Sequence, residues 1–275
     1  VEIEHSADYR TWIPYFASVD VRQILVLTVL LFSGCLTGAD HLTVDADGAV
    51  VRGETDDSTL ALVFTGDEYA DGAALIRSVL GARDIKASFF LTGKFYRNPD
   101  FAEAIVSLSE DGHYLGAHSD QHLLCCTWED RDSLLITHAE FERDVRDNYA
   151  EMARYGVERE DAPYFLPSYE WYNRKIADWT TGLGLTLVNY SPGTRSHADY
   201  TTPDMGIRYL SSDAILESIL EYEAADANGL NGFILLMHIG TAPQRTDKLY
   251  DRLGALLDSL VARGYSFERI DELLD

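Results

Sequence analysis

The sequence predicts an α/β protein built on a mostly parallel sheet, and two observations carry this prediction. From Leu60 onward, seven short runs rich in β-branched and aromatic residues alternate with longer amphipathic stretches, which is typical of βα units. The chain has 275 residues, 46% of them hydrophobic, so it can bury the core of one large domain. Seven βα units are too many for most halves of a nucleotide-binding fold, and they suit a barrel or a distorted barrel.

The elements follow one another in regular order. Apolar runs bounded by turn residues predict strands at Leu60–Thr65, Ala87–Leu91, Tyr114–Ala117, Ala162–Leu166, Leu185–Tyr190, Phe233–His238 and Ser266–Arg269. Apolar residues at helical spacing predict helices at Ala73–Leu80, Phe101–Ser109, Phe141–Tyr155, Arg174–Leu183, Ala214–Glu223 and Lys248–Arg263. No glycine-rich phosphate loop of the usual spacing follows any of these strands.

The first part of the chain differs from the rest. Residues 1–40 are predicted to be a leader, and residues 41–275 one catalytic domain that opens with an extended stretch and an edge strand at Ala49–Arg52. Residues 21–35 hold a basic residue, a short apolar run and small residues before Cys35, which is typical of a bacterial lipoprotein signal peptide. This predicts translation from Val21, a lipid anchor on Cys35 and a location in the cell envelope or periplasm. A buried element of the domain is the alternative.

The charge balance narrows the choice of partners. There are 46 Asp and Glu residues against 22 Lys and Arg, which gives a formal net charge of -24. Nucleic acid and anionic membrane surfaces would be repelled by this charge. Neutral or cationic substrates are therefore expected, and no nucleic-acid partner.

Polar side chains follow the ends of successive predicted strands. In parallel βα barrels, the loops at the carboxyl ends of the strands meet at one rim, where the chemistry is located. The residues that fall there are Asp67 and Glu68, His118 and His122, Tyr169 and Trp171, Arg195 and His197, and His238. We therefore expect these side chains to surround a single site.

The pair His118 and His122 is the most informative part of this set. On a helical turn, residues four apart share a face, so both imidazoles can point at one divalent cation, and neutral imidazole suits zinc and its neighbours. Histidine pairs at this spacing also occur on ordinary surfaces.

The motifs resemble those of the polysaccharide deacetylase family, carbohydrate esterase family 4. The segment His118-Ser-Asp-Gln-His122 matches the family's His-Ser/Thr-x-x-His in full, Leu236-Met-His238 matches its Leu-x-His, and Ile85–Gly93 is similar to its second strand. The likeness runs from about Thr59 to Leu274. It implies a distorted (β/α)7 barrel, an Asp-His-His metal site and hydrolysis of acetyl groups on a carbohydrate polymer or oligosaccharide.

Two motifs of the family are altered in this chain. The family's Thr-Phe-Asp-Asp-Gly supplies a catalytic base and a metal ligand, whereas this chain has Phe64-Thr-Gly-Asp-Glu68. We carry the ligand role to Asp67 and the base role to Glu68. The family's Arg-x-Pro-x-Tyr is here Phe165-Leu-Pro167-Ser-Tyr169, so the arginine that pairs with the base is missing, and Arg195 is a candidate replacement.

The predicted mechanism follows from these roles. A divalent metal, zinc foremost, is held by Asp67, His118 and His122, polarises the acetyl carbonyl and acidifies a bound water. Glu68 takes the proton of that water, and His238 protonates the departing amine or hydroxyl. The aromatic side chains of Tyr169 and Trp171 stack on a sugar ring, and Arg195 and His197 contact the substrate.

Each assignment has a structural alternative. Asp67 could cap the following helix, His238 could be a satisfied core histidine, Trp171 could be a packing residue, and His197 with Asp199 could only order its loop.

The function has alternatives as well. The missing acid and arginine would also fit a catalytically altered carbohydrate-binding protein on the same fold. Two histidines and one carboxylate could form an iron oxygenase site, although the βα alternation counts against the jelly roll that usually carries one. The acetyl linkage, the polymer, the native metal and the oligomeric state stay open.

Overall fold

The computed structural model describes residues 41–275. They lie within Thr37–Asp275, the larger of the two units into which the chain divides. The predicted leader, with the signal-like segment 21–35 and Cys35, lies outside the described residues. None of the helices between residues 41 and 275 combines the length and apolar character that crossing a membrane requires.

One sheet of nine strands runs through the described part of the chain. Its strands are β1 (Thr43–Val44), β2 (Val50–Arg52), β3 (Thr59–Gly66), β4 (Ser88–Leu91), β5 (Tyr114–Ala117), β6 (Tyr164–Phe165), β7 (Thr186–Leu187), β8 (Phe233–His238) and β9 (Ser266–Glu268). Their order is β1-β2-β8-β3-β4-β5-β6-β7, and β9 pairs with the start of β3. From β8 to β7 all neighbours are parallel. The central strands β3 and β8 are apolar and buried, as strands covered on both faces must be.

The two ends of the sheet meet, so the sheet curls into a distorted barrel. Val188, just after β7, forms a parallel bridge with Val50 of β2, and the Asn189 amide donates a hydrogen bond of 2.9 Å to the Val50 carbonyl. The predicted distorted (β/α)7 barrel is therefore confirmed. The edge strand expected at Ala49–Arg52 is the one that joins its two sides.

Helices cover the outside of the sheet. They are α1 (Ala73–Gly81), α2 (Gly93–Arg97), α3 (Ala102–Glu110), α4 (His138–Ala153), α5 (Arg174–Gly182), α6 (Ser212–Ala225), α7 (Leu253–Ala262) and α8 (Ile270–Leu273). Side-chain caps set several starts: the hydroxyl of Thr92 accepts from the Phe95 amide, and Thr137 forms a capping box with Glu140. The capping box explains why α4 begins three residues before the helix predicted from Phe141. The first turn of the helix predicted from Lys248 is instead a 3-10 helix, Leu249–Arg252.

The register of the parallel strands aligns their carboxyl ends. Gly66 of β3, Leu91 of β4, Ala117 of β5 and Phe165 of β6 are successive partners across the sheet, while Thr65 pairs with His238 of β8. The residues that follow this row therefore emerge at one rim.

Arg245 anchors the segment from Thr201 to Ser212 at this rim. Its side chain is fully buried, and its guanidinium donates to the carbonyls of Thr201 at 2.6 Å and Leu210 at 3.0 Å and to the Ser212 hydroxyl at 3.2 Å. No carboxylate within residues 41–275 forms an ion pair with it. Thr201 directly follows the 3-10 helix Ser196–Tyr200, so Arg245 holds the segment that contributes to the site described below.

Replacing Arg245 with methionine is expected to lower the free energy of unfolding by about 2–4 kcal/mol, because buried carbonyls lose their donors. Arg252→Met is the matched control, since Arg252 is exposed and pairs only with Asp213. That variant should change the value by less than about 0.5 kcal/mol. Urea denaturation measures both, and equal losses would contradict the anchoring role.

Candidate active site

The carboxyl ends of the strands surround a cavity of about 780 Å³. Seven of the residues predicted for the site line it: Asp67, His118, His122, Tyr169, Trp171, His197 and His238. They come from loops that are far apart in the sequence, so the expectation that these loops meet at one rim holds for this set.

His118 is placed as a neutral imidazole. It directly follows β5, is 2% exposed, and its Nδ1 lies 2.8 Å from the Leu166 carbonyl oxygen. A carbonyl can only accept, so Nδ1 donates and Nε2 keeps its lone pair. Burial holds the pKa of His118 well below its usual range, and the neighbouring His122 lowers it further. The ring is therefore a ready metal ligand.

His122 and Asp67 face each other beside this ring. The His118 and His122 ring centroids are 5.2 Å apart, and the Asp67 Oδ2 is 3.7 Å from the His122 Nδ1. Burial lowers the pKa of His122 to about 4 although Asp67 acts to raise it. His122 is therefore neutral at pH 7.

Asp67 is held by contacts to the neighbouring strand end. Its Oδ1 accepts from the Thr92 hydroxyl at 2.9 Å, and the Lys94 ammonium lies 3.6 Å from Oδ2. The helix that follows, α1, has Gly72 as its N-cap residue and receives no side-chain cap. Asp67 therefore does not serve as the helix cap that was its structural alternative.

Asp67, His118 and His122 are the candidate ligands for a cation in this cavity. As the side chains lie, no three His, Cys, Asp or Glu residues within 41–275 form a group that could enclose a metal ion. The chemistry of the set nevertheless fits, because two neutral imidazoles and a carboxylate line one cavity and such ligands suit zinc.

His238 is in a different state from the other two histidines. Its Nδ1 lies 2.6 Å from the Asp199 Oδ1, and its backbone amide donates to the Asp199 Oδ2 at 2.9 Å. Burial lowers the pKa of His238, but the charge and hydrogen bond of Asp199 raise it by more, so the net shift is upward. Asp199 thus favours the protonated form of His238, which lies at the rim and lines the cavity.

An aromatic wall, formed by Trp128, Tyr169 and Trp171, borders the cavity. The Trp128 ring centroid is 5.7 Å from that of Tyr169 and 5.5 Å from that of Trp171, and the Arg131 guanidinium lies 3.8 Å over the Trp171 ring. Trp128 and Tyr169 are 54% and 43% exposed. Large exposed rings at a cavity mouth offer flat apolar surfaces to a ligand.

The structure does not bring Glu68 and Arg195 into this cavity. Glu68 is exposed and lines adjoining clefts, and Arg195 is exposed outside the residues that line the cavity. His197 does line it, with its ring stacked on Tyr190 at 4.3 Å. The roles assigned to Glu68 and Arg195 stay predictions without a supporting contact.

Two residues that were not assigned a role also line or support the cavity. Asp199 is 2% exposed and orients His238 as described. The side chain of Glu170 lines the cavity, and burial raises its pKa to about 7. The sequence signal for both was their place beside predicted rim residues, because Asp199 lies two positions after His197 and Glu170 lies between Tyr169 and Trp171.

The fold and the site together define a distorted βα barrel with histidines and carboxylates at its carboxyl rim. The sequence profile of the polysaccharide deacetylase family matches residues 52–188. The chain belongs to this family. A comparison with curated protein sequences gave no match.

Solved structures support the same fold. A family 4 carbohydrate esterase, PdaA of Bacillus subtilis, is 20% identical with a TM-score of 0.64, over 82% of this chain and 84% of that one. A family 4 pseudoenzyme from Bacillus anthracis is 16% identical with a TM-score of 0.63, over 84% and 70%. A family 4 acetyl xylan esterase from Clostridium thermocellum, solved with cobalt, is 19% identical with a TM-score of 0.59, over 78% and 89%. At these identities the likeness shows the shared fold.

Removing the carboxylate of Asp199 should lower the pKa of His238. In Asp199→Asn the burial that lowers the pKa remains while the charge that raises it most is removed, so the pKa of His238 is expected to fall. Asp204→Asn, in the exposed 3-10 helix that follows, is the control and should leave it unchanged. NMR titration of 13C-labelled histidine measures both, and an unshifted His238 in Asp199→Asn would contradict the assigned pairing.

Proposed function

We propose that the protein is a metal-dependent hydrolase that removes N- or O-linked acetyl groups from a carbohydrate polymer or oligosaccharide. One observation carries the proposal: a single cavity holds two neutral imidazoles beside a carboxylate and also a third imidazole whose pKa is raised by Asp199. Electrophilic activation and proton donation are the two functions that cleavage of an acetyl group requires.

Asp67, His118 and His122 are the residues that would hold a divalent metal, zinc foremost. Such an ion would polarise the acetyl carbonyl and lower the pKa of a bound water. The hydrogen bond from His118 Nδ1 to the Leu166 carbonyl fixes the ring so that Nε2 is the ligating atom. The short contact from Thr92 to Asp67 restrains the carboxylate in the same way.

His238 supplies the acid. With Nδ1 bound to the Asp199 carboxylate, Nε2 carries the proton that can be transferred. It would protonate the departing nitrogen or oxygen as the bond to the acetyl carbon breaks. The raised pKa keeps a protonated population available near neutral pH.

The cavity surroundings favour an acetylated sugar as substrate. The aromatic wall offers stacking surfaces for sugar rings, and the net charge of -24 favours a neutral ligand. Among structural matches are a peptidoglycan N-acetylglucosamine deacetylase and an acetyl xylan esterase, so amide and ester substrates both belong in the screen. The signal-like segment 21–35 adds an extracytoplasmic location to the proposal.

A carbohydrate-binding protein without turnover is the second candidate. It is favoured by Thr65 and Gly66, which stand where the family's motif has two acids, and by a match to a family 4 pseudoenzyme. It predicts ligand binding that no metal converts into acetate release.

Acetate release separates the two candidates. Metal-depleted protein is loaded with zinc and offered acetylated xylan, chitin oligomers, peptidoglycan and aryl acetates, and we expect acetate that a chelator abolishes and zinc restores. His118→Gln removes a ligand itself and should therefore lower the rate by more than the ~10–100-fold that loss of a hydrogen-bond partner of a ligand costs. His138→Gln, an exposed residue at the start of α4, should leave it unchanged. Binding of the same sugars without acetate from any of them would favour the binding protein.

A further inference from the structure

The carboxylate of Glu170 is a reactive group without a partner in the cavity. Its side chain lines the cavity, and within residues 41–275 it forms no hydrogen bond or ion pair. Its backbone, by contrast, is held firmly: the Glu170 amide donates to the Pro167 carbonyl at 3.0 Å, and its carbonyl accepts from the Asn189 amide side chain at 3.2 Å. The carboxylate is therefore positioned by the main chain and left open to a ligand.

The turn that carries Glu170 has an unusual backbone. Tyr169 and Glu170 have φ values of 60° and 53°, in the left-handed region that residues with a Cβ avoid. Both residues belong to the 3-10 helix Ser168–Glu170, which follows Pro167 shortly after β6 ends. Both side chains line the cavity as a result, and strained backbone of this kind concentrates at functional sites.

The groups around Glu170 suit a carboxylate that exchanges a proton. Burial raises its pKa to about 7, with the charge of His238 acting to lower it and that of Asp199 to raise it. In return, the negative charge of Glu170 contributes to the raised pKa of His238. Near neutral pH, the pair can therefore hold one carboxylate and one imidazolium within the same cavity.

A buried hydroxyl in the same cavity supports this arrangement. Thr65 is 1% exposed, lines the cavity, and its Oγ1 has no hydrogen-bond partner among the described residues. A buried hydroxyl needs a partner, and a water molecule in the cavity that Thr65 and Glu170 both line would supply it. Because Glu170 lines the same cavity, its carboxylate is a candidate to accept a proton from such a water.

We propose that Glu170 is the catalytic residue that accepts the proton of the attacking water, in place of Glu68, which is exposed and lines an adjoining cleft instead of this cavity. The inference rests on the proposed acetyl hydrolysis and adds the identity of its base. In the reaction, the water oxygen bonds to the acetyl carbon while its proton passes to the Glu170 carboxylate. The bond from that carbon to the sugar nitrogen or oxygen then breaks as His238 Nε2 donates its proton to the leaving atom. Acetic acid and the free amine or hydroxyl result, and the proton on Glu170 returns through solvent to His238.

The test compares three glutamate-to-glutamine variants of the full chain. Glu170→Gln keeps the shape of the side chain but cannot take a proton, so kcat for acetate release should fall ~10²–10⁴-fold with little change in KM. Glu68→Gln tests the competing base. Glu160→Gln, exposed in the 3-10 helix Arg159–Asp161, is the matched control and should keep the wild-type kcat.

A second readout does not depend on turnover. In Glu170→Gln the pKa of His238, followed by NMR of 13C-labelled histidine, should fall because a negative charge facing it is removed. In Glu160→Gln it should not move. The other charged or titratable groups that bear on His238 are unchanged in both variants: Asp199, Arg245, His197, His118 and His122.

The outcomes separate this inference from the proposed function. Wild-type acetate release together with a fully active Glu170→Gln would overturn the role of Glu170 alone, as would loss of activity only in Glu68→Gln. An unshifted His238 in Glu170→Gln would contradict the placement of the carboxylate even if kcat fell. A wild-type protein that releases no acetate would overturn both proposals. Should Glu170→Gln fail to fold, Glu170→Asp takes its place, and a wild-type kcat in that variant would contradict the proposal.

Discussion

The parallel pairing of β3 with its neighbours is the constraint on which the site depends. Thr65 lies beside His238 of β8, and Gly66 lies in one row with Leu91, Ala117 and Phe165. The residues that follow this row therefore leave the sheet at the same edge, although they come from distant parts of the sequence. Hydrogen bonds between the loops, such as those that Thr92 donates to Asp67 and His118 donates to the Leu166 carbonyl, then fix side chains that the register has already brought together.

The same residue type serves two purposes in this cavity because the surroundings differ. His118 and His122 are buried with each other and stay neutral, and Asp67 does not offset this burial. His238 is partly buried, but Asp199 holds its ring nitrogen and its backbone amide, so the cationic form is favoured. The proposed ligands and the proposed acid thus differ in electrostatics rather than in residue identity, as in other sites where environment moves the pKa values of like groups apart.

Sequence reasoning identified most of the fold and part of the site. Strands β5 and β8 have the predicted bounds because each is a compact apolar run, and α2 was missed because a single turn such as Gly93–Arg97 depends on the Thr92 cap. Glu68 could not be distinguished from Asp67 by spacing, because the two are neighbours in the bend directly after β3, and of the two only Asp67 lines the cavity. The placement of Glu170 depends on the left-handed backbone of Tyr169 and Glu170, which hydrophobic periodicity does not reveal. Trp128 lies in a loop, where the sequence has no repeating pattern.

The account stands on one cation shared by Asp67, His118 and His122, with His238 free to act as the acid. An anomalous-scattering map at the zinc absorption edge, from crystals grown with zinc, tests this most directly. The account predicts one strong peak bonded to those three side chains, with ligand distances of about 2.0–2.2 Å. A peak bonded to other residues, or no peak in crystals that contain zinc, would contradict it.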